Sequence, residues 1–502
     1  MMAQFVTIDV GTGSIRAAVI DARGRMLALA SRPHAQTTPQ PGWTEQSPDQ
    51  WWAGVVSCLN EIMAAPEVDR TALMAAAVCG QMHGPVPIGA DGEVLLERVQ
   101  LWNDKRATDQ VARVRGREDL LELTQMAANQ PSPSWIGFKL AWMRDHQRPA
   151  YERARTILTP KDFVNFRLTG EVATDRSEAS GSFLMNHQNL FYAPELVDCL
   201  GLDMEKLPPI HHAASVIGQI TSTVADETSL PMGLPVVVGG GDFLVAVLGA
   251  GVIEAGQGCE VAGTSNIVSR LGTRPIPAPT LNNLCAVDEG WVSFAILDAG
   301  GDALRWARRL MNGGEDWHEV DALAEAAGAG AGGVLFLPYL TGERVPGREA
   351  AKGQLVGLSS ASGSGDIFRA VMEGVAFASR QDLELMRREG GDVSRLMVIG
   401  GGAAAPLWLQ IKADIYRLPL TTTANAEGGL IGCAILAGQA AGTFSDAQEG
   451  VEAMVQVGQT FEPDPLLADR YDELFHAYRA TYQAAGTVLG DLARARLNTT
   501  TS

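Results

Sequence analysis

Two segments, one in each half of the chain, carry the same pattern: DVGTGSIRA from Asp9 and EVAGTSNIV from Glu260. In each, an acidic residue near a strand end runs into a turn of Gly, Thr and Ser, and an apolar strand follows. An internal duplication of this kind builds two similar units, each presenting one phosphate-sized turn to a shared cleft. The surrounding pattern agrees. Residues 5–31 read as three short strands, FVTIDV, IRAAVID and RMLALAS, joined by the turns GTGS and ARG. A second meander is predicted from Cys259, through GCEVAGTS and NIVSRLG and then, after a Pro-rich loop at 275–279, WVSFAILDAGG. Helical periods around Pro48 to Ala64 and Asp104 to Gln125 alternate with strand-like runs such as Met74 to Cys79, which predicts α/β layers. RLMVIGGGAAAPLWLQIKADIY reads as a strand, three glycines and a helix with Leu407, Ile411 and Ile415 on its apolar face. A polar helix from about Leu466 is expected to end in a frayed RLNTTTS tail.

With 502 residues, 46% hydrophobic and 19% charged, the chain can bury the cores of two or more domains. Its formal net charge of −19 opposes the counterion-release attraction that draws proteins to nucleic acid or anionic membrane, so a small-molecule partner is expected and neither of those. Six cysteines without CxxC or zinc-like spacing predict reduced thiols. The start MMAQFVTIDVG has no basic n-region, and a cytoplasmic location is expected. One apolar run, Leu234 to Ile253, is long enough to span a bilayer, but it holds Pro235, five glycines and Asp242, and it reads as buried core.

Phosphoryl transfer needs backbone donors around the phosphates, a metal-holding carboxylate and a base for the accepting hydroxyl. The turn Gly11, Thr12, Gly13 follows a strand carrying Asp9; it can approach phosphate while Asp9 faces a metal, or it is an ordinary hairpin turn. Neither a Walker A pattern nor a protein-kinase catalytic loop is present. Asp242, in VVVGGGDFLVAVLGAG, is an expensive acid in apolar surroundings. It suits a proton acceptor set in a cleft by three glycines, or a cap on a helix starting at Phe243. In GQMHG, Gln81 and His83 can bond polyol hydroxyls while Met82 packs on the carbon chain, or His83 is a satisfied loop residue. Trp102 reads as core or as a sugar platform, and Lys105 and Arg106 as solvated helix-start charges.

Together these motifs resemble the FGGY carbohydrate kinases. The stretch GQLVGLSSASGSGDIFRAVME, Gly353 to Glu373, matches that family's C-terminal signature, with Asp366 read as a helix N-cap. WTEQSPDQWW, GQMHG, LWND, PKDFVNFRLTGE, GGGD and FLPYLTGERVP look most like xylulokinases. The resemblance implies an α/β fold of two actin-like, ribonuclease-H-like domains with an interdomain cleft, residues 1–248 seating the sugar and 249–502 the ATP. It implies ATP and Mg²⁺ as cofactors and a small ketose, D-xylulose first, phosphorylated at its terminal hydroxyl. Asp242 becomes the catalytic base and, with Asp9, a metal-organising acid. Gln81, Met82, His83, Trp102 and Phe243 are expected around the sugar. Gly263, Thr264 and Ser265 are expected at the phosphates, and Gly401, Gly402 and Ala403 beside adenosine. The run Gly249 to Gly258 is expected to flex between the halves.

Two departures stand out. Phe243 occupies the place where xylulokinases carry Asn, which opens the site to another hydroxyl pattern, such as that of ribulose, a tetrulose, glycerol or gluconate. In WIGFKLAWM, Ile136 stands where Pro, Ser or Thr is expected, with Lys139 and Trp142 in place. An actin-like or chaperone-like ATPase is the alternative from another class. The oligomeric state is not fixed by the sequence, and a homodimer stays open.

Overall fold

The structure, a computed structural model, describes residues 2–311, 316–343, 351–425 and 427–497, with side chains described to residue 484. Its strands are β1 (Gln4–Val10), β2 (Ser14–Asp21), β3 (Met26–Pro33), β4 (Leu73–Gly80), β5 (Val216–Gln219), β6 (Pro235–Gly241), β7 (Gln257–Ala262), β8 (Asn266–Gly272), β9 (Asn282–Cys285), β10 (Trp291–Leu297), β11 (Arg395–Ile399), β12 (Leu420–Thr423) and β13 (Val457–Phe461), besides short two-stranded pairs. The helices that bear on function are α1 (Pro48–Met63), α2 (Ile136–His146), α3 (Pro160–Thr169), α4 (Arg176–Ser180), α5 (Asp242–Gly249), α6 (Ser364–Gly390), α7 (Pro406–Tyr416) and α8 (Gly428–Ala440).

All seven residues of β1 are buried, so this strand needs cover on both faces. Val6, Ile8 and Val10 pack under α1 with Trp51 and Val55. Phe5 shares a core with Ile431, Cys433 and Ala434 of α8, a helix from the other half of the chain. Among the described residues the first half forms a six-stranded sheet in the order β5-β6-β4-β1-β2-β3, and the second a seven-stranded sheet in the order β9-β10-β8-β7-β11-β12-β13. Both are built around the same unit. An antiparallel meander (β1-β2-β3; β7-β8-β10) carries two parallel strands on its first member's free edge (β4 and β6; β11 and β12). The duplication read from DVGTGS and EVAGTS is thus a duplication of sheet topology.

The equivalent acids are neutralised differently in the two copies. Asp9 lies opposite Arg16 in the β1-β2 register and pairs with it. Glu260 on β7 is wholly buried and pairs with Lys412, which projects from α7 and also donates to Asn266 Oδ1 at 3.2 Å.

Helices α5 and α8 cross where the halves meet. A Cβ on Gly249 would lie 1.9 Å from the carbonyl oxygen of Gly428, and one on Gly432 would lie 2.1 Å from that of Val245, so the two backbones touch directly. Gly249, expected to flex, is a packing residue. The apolar run around Asp242 is buried, as β6 and α5. Among the described residues no helix is long and apolar enough to cross a membrane.

Several local expectations need correction. The stretch 104–125 is two helices, Thr108–Arg115 and Leu120–Ala127, interrupted at Gly116. Helix α7 buries most of its circumference, including Lys412 and Asp414, because β-sheet and α6 flank it. Asp366 is inside α6 rather than its cap: Gly363 is the N-cap, and its N–H donates back to Asp366 Oδ2 at 2.8 Å. The edge strand β9, hidden behind the Pro-rich loop, was not foreseen. It docks on the first half: the Asn283 N–H donates to Asn129 Oδ1, Asn129 Nδ2 donates to the Asn283 carbonyl (both 2.8 Å), and the Cys285 N–H donates to Ser180 Oγ at 2.9 Å. Residues 344–346 of FLPYLTGERVP and 498–502 of the tail lie outside the described residues.

Candidate active site

The glycines before Asp242 each have a steric reason. Strand β6 slips register between Val237 and Gly240, and Gly239 (φ +69°) takes the left-handed conformation that the slip requires; a Cβ there would sit 1.7 Å from the Val78 carbonyl oxygen. At Gly241 a Cβ would lie 2.6 Å from Met82 Sδ, so the GQMHG loop lies against the strand end from which Asp242 emerges. Asp242 is the first residue of α5. Its Oδ1 accepts only the Phe243 N–H, at 2.7 Å, and not an amide deeper in the first turn, so the carboxyl does not act as an N-cap. Burial, followed by the negative charge of Asp9, pushes its pKa up to about 7.

Asp9 is buried at the end of β1. Arg16 Nη2 donates to its Oδ2 at 2.6 Å, and Arg16 Nη1 reaches Glu427 Oε2 at 2.5 Å, just ahead of α8. Asp9 Oδ1 is buried without a hydrogen-bond partner. Burial raises the Asp9 pKa, and Arg16 opposes the rise. The turn beyond is held through Thr12. Its carbonyl accepts Gln46 Nε2 at 2.7 Å and faces His34 Nε2 at 3.1 Å, while its Oγ1 accepts Trp102 Nε1 at 3.1 Å. Trp102 therefore steadies the turn. Gly13 has open space where a side chain would be.

The second turn is similarly built. The Gly263 N–H donates to the Ser265 carbonyl at 3.0 Å, Gly301 donates to the Gly263 carbonyl at 2.9 Å, and Arg305 donates to Thr264 Oγ1 at 3.2 Å. The 401–403 loop abuts it, because a Cβ on Gly402 would meet Ala262 Cβ at 2.6 Å, and Gly401 has open space beside it. Gly263, Thr264, Ser265, Gly401, Gly402 and Ala403 thus gather at one end of the second sheet.

In the GQMHG loop, His83 has φ +67° and is buried, with Nδ1 unpartnered and its ring edge-on to Trp135 at 5.2 Å. Burial and the charge of Lys139 hold its pKa well below the usual range, so the imidazole is neutral. Lys139 is wholly buried. Its Nζ donates to the carbonyls of His83 (3.2 Å) and Leu101 (2.6 Å), tying GQMHG to LWND, and burial pulls its pKa down to about 7. Gln81 Nε2 donates to Gln46 Oε1 at 2.8 Å, and Gln46 in turn donates to the Thr12 carbonyl, which links the GQMHG loop to the Gly11–Gly13 turn, while Gln81 Oε1 has no partner. Phe243 packs edge-on against Phe294 of β10, at 5.1 Å. Arg106, expected to be solvated, is buried: it stacks 3.8 Å over Trp43 and pairs with Glu45 and Asp104. Arg16 and Glu427 are not among the residues expected from the sequence, and Lys139 is expected there only as a signature position, without a role. Of these, Arg16 was readable, because a hairpin pairing Val10 with Ile15 sets Arg16 opposite Asp9.

Among the described residues no group of three or more His, Cys, Asp or Glu is placed to hold a metal ion. What the site offers is an acid pair in which the charge of Asp9 helps raise the Asp242 pKa, with the Gly11–Gly13 turn on the same sheet and the 263–265 turn on the other.

Comparison with known proteins gives this arrangement its context. Residues 4–249 match the N-terminal domain of the FGGY family of carbohydrate kinases, and residues 259–441 match the C-terminal domain. A xylulose kinase of Staphylococcus epidermidis is 29% identical over 489 residues, covering 97% of each chain. An autoinducer-2 kinase of Klebsiella pneumoniae is 27% identical over 505 residues, covering 96% of this chain and 94% of that one. The crystal structure of a xylulose kinase from Rhodospirillum rubrum is similar with a TM-score of 0.91 at 28% identity, covering 97% of this chain and 100% of that one. The duplicated sheets are accordingly the two domains of a sugar-kinase fold, and the chain belongs to the FGGY family of carbohydrate kinases as one of its phosphotransferases.

Proposed function

We propose that the enzyme transfers the γ-phosphoryl group of ATP to the terminal hydroxyl of D-xylulose, giving D-xylulose 5-phosphate, with Asp242 as general base. In this reading residues 1–248 seat the ketose and the first phosphate turn, and residues 249–502 seat most of the nucleotide. One observation carries the assignment: a half-buried carboxyl with a pKa of about 7, raised by desolvation and then by Asp9, follows Gly241, against which Met82 packs. Such a group is ionised in useful proportion at neutral pH and basic enough to take a hydroxyl proton. The proton of O5 passes to Asp242 as O5 bonds to the γ-phosphorus and the bond from that phosphorus to the ADP oxygen breaks. Neutral His83 and Met82 orient the sugar, and closure of the two domains keeps water from accepting the phosphoryl group.

The residues present fit Mg²⁺. Asp9 keeps one buried oxygen without a partner, and two carboxylates suit an ion that otherwise keeps water and phosphate oxygens. Asp9 and Asp242 would hold it, and when bound it offsets charge on the β- and γ-phosphates.

The pH dependence follows from the sign of the Asp242 shift. Its carboxylate must be ionised to act, so kcat/KM for the ketose should rise about tenfold per pH unit on the acid side and level off above about pH 7. Asp9→Asn removes a negative neighbour and should move that limb of the residual activity to lower pH. A limb that stays in place would remove Asp9 as the electrostatic partner.

Substrate identity is tested by kcat/KM across pentuloses, tetruloses, glycerol and gluconate. D-xylulose is expected to lead the panel by about tenfold or more. The Phe243 ring, turned edge-on to Phe294, favours a second reading in which the site takes a different small ketose, and a tetrulose or ribulose at the head of the panel would establish it.

A further inference from the structure

Helix α4 lies between the two groups assigned to the sugar. On one side Ser177 Oγ accepts the Gly241 N–H at 2.9 Å, immediately before Asp242. On the other, Gly181 faces His83: a Cβ there would come 2.5 Å from His83 Cε1. Between Ser177 and Gly181 along the chain is Glu178, 2% exposed, with both carboxyl oxygens buried and neither hydrogen-bonded. The charged groups that bear on it are Lys161, Asp162, Asp175, Asp242 and, more distantly, Lys139. Lys161 is already taken by Asp162 and by Asp175, the latter at 3.1 Å, and Lys139 by the two backbone carbonyls. Ser180 is occupied with β9 through the Cys285 N–H, and Asp175 Oδ2 with the Ser177 N–H at 2.7 Å. Glu178 is thus the member of this cluster whose bonding capacity is wholly unspent.

A buried acid with two orphaned oxygens weakens the fold unless something else completes it. From this we infer that Glu178 is a specificity-determining residue of the sugar site, whose carboxyl hydrogen-bonds ketose hydroxyls other than the one phosphorylated. Burial raises its pKa, favouring the protonated form, which can both donate and accept as adjacent hydroxyls of a polyol require. The inference rests on the ketose-kinase reading above.

The test separates a ligand from a misplaced structural acid, using the full-length enzyme. Glu178→Leu removes the orphaned oxygens and should leave the melting temperature unchanged or raised. KM for D-xylulose should rise about tenfold or more, with KM for ATP within about twofold. Glu178→Gln, which keeps a donor and an acceptor, should stay within about threefold of the parent KM for ketose. A Leu variant that folds and keeps the parent ketose KM overturns the inference. Should the Leu variant not fold, Glu178→Asp decides: the shortened acid should raise the ketose KM about tenfold while the ATP KM holds, and an unchanged ketose KM overturns the inference. If the parent enzyme itself turns over no ketose, the proposed function has failed. If the parent works and the variants match it, the role of Glu178 alone has failed.

Discussion

Asp242→Asn is expected to lower kcat for the ketose by about 10²- to 10⁴-fold while leaving ATP affinity nearly unchanged. The substitution is close to isosteric, and its amide oxygen can still accept the Phe243 N–H that Oδ1 accepts now at 2.7 Å. It removes a charge that burial and Asp9 both disfavour, so the protein should lose no thermal stability. What disappears is a group able to take a proton. A loss of kcat accompanied by a lowered melting temperature would instead mark Asp242 as structural, and near-parent turnover would remove it as the base. Stopped assays of ADP release, run beside nucleotide titrations, distinguish these results.

The second large effect is on stability. Lys412→Met should cost about 3–5 kcal/mol, because it strands the wholly buried Glu260 without its cation. Lys412 also donates to Asn266 Oδ1, and Asn266 Nδ2 donates to Ser379 Oγ at 3.0 Å, so this pair anchors both strands flanking the 263–265 turn to α6 and α7. Urea unfolding followed by a probe in the second domain reads the change. Adding Glu260→Gln should recover a large part of it, since the stranded charge goes. A single-variant loss below about 1 kcal/mol would show that the pair is not what holds this turn.

The parts of the fold that could be read along the chain are those set by local pattern. The two meanders, the strand-to-glycine-to-helix passages and the buried run around Asp242 all follow from alternation, turn residues and apolar period. What could not be read that way depends on partners far off in sequence. Lys412 looks like one charge between Ile411 and Ile415, and nothing nearby announces Glu260. Arg106 looks like a helix-start cation until Trp43, Glu45 and Asp104 close around it. Strand β9 has a weak local signal because its stability comes from Asn129 and Ser180 in the other domain. At the site, Asp9, Asp242 and the two turns were legible from residue type and context. The three glycines before Asp242 were legible as glycines only: that Gly239 serves a register slip and Gly241 admits Met82 is visible only once the strands are paired. Phe243 illustrates the same limit, since its aromatic partner Phe294 lies on a strand of the second domain.

The central claim is that one carboxyl accepts the proton of the hydroxyl that becomes phosphorylated. A crystal structure of the enzyme with D-xylulose and a non-hydrolysable ATP analogue measures this directly. The account predicts an Asp242 carboxyl oxygen within about 2.6–3.2 Å of the sugar's O5, with the γ-phosphorus on the opposite side of that oxygen. A sugar whose terminal hydroxyl is bonded elsewhere, with Asp242 facing neither sugar nor phosphate, would contradict it.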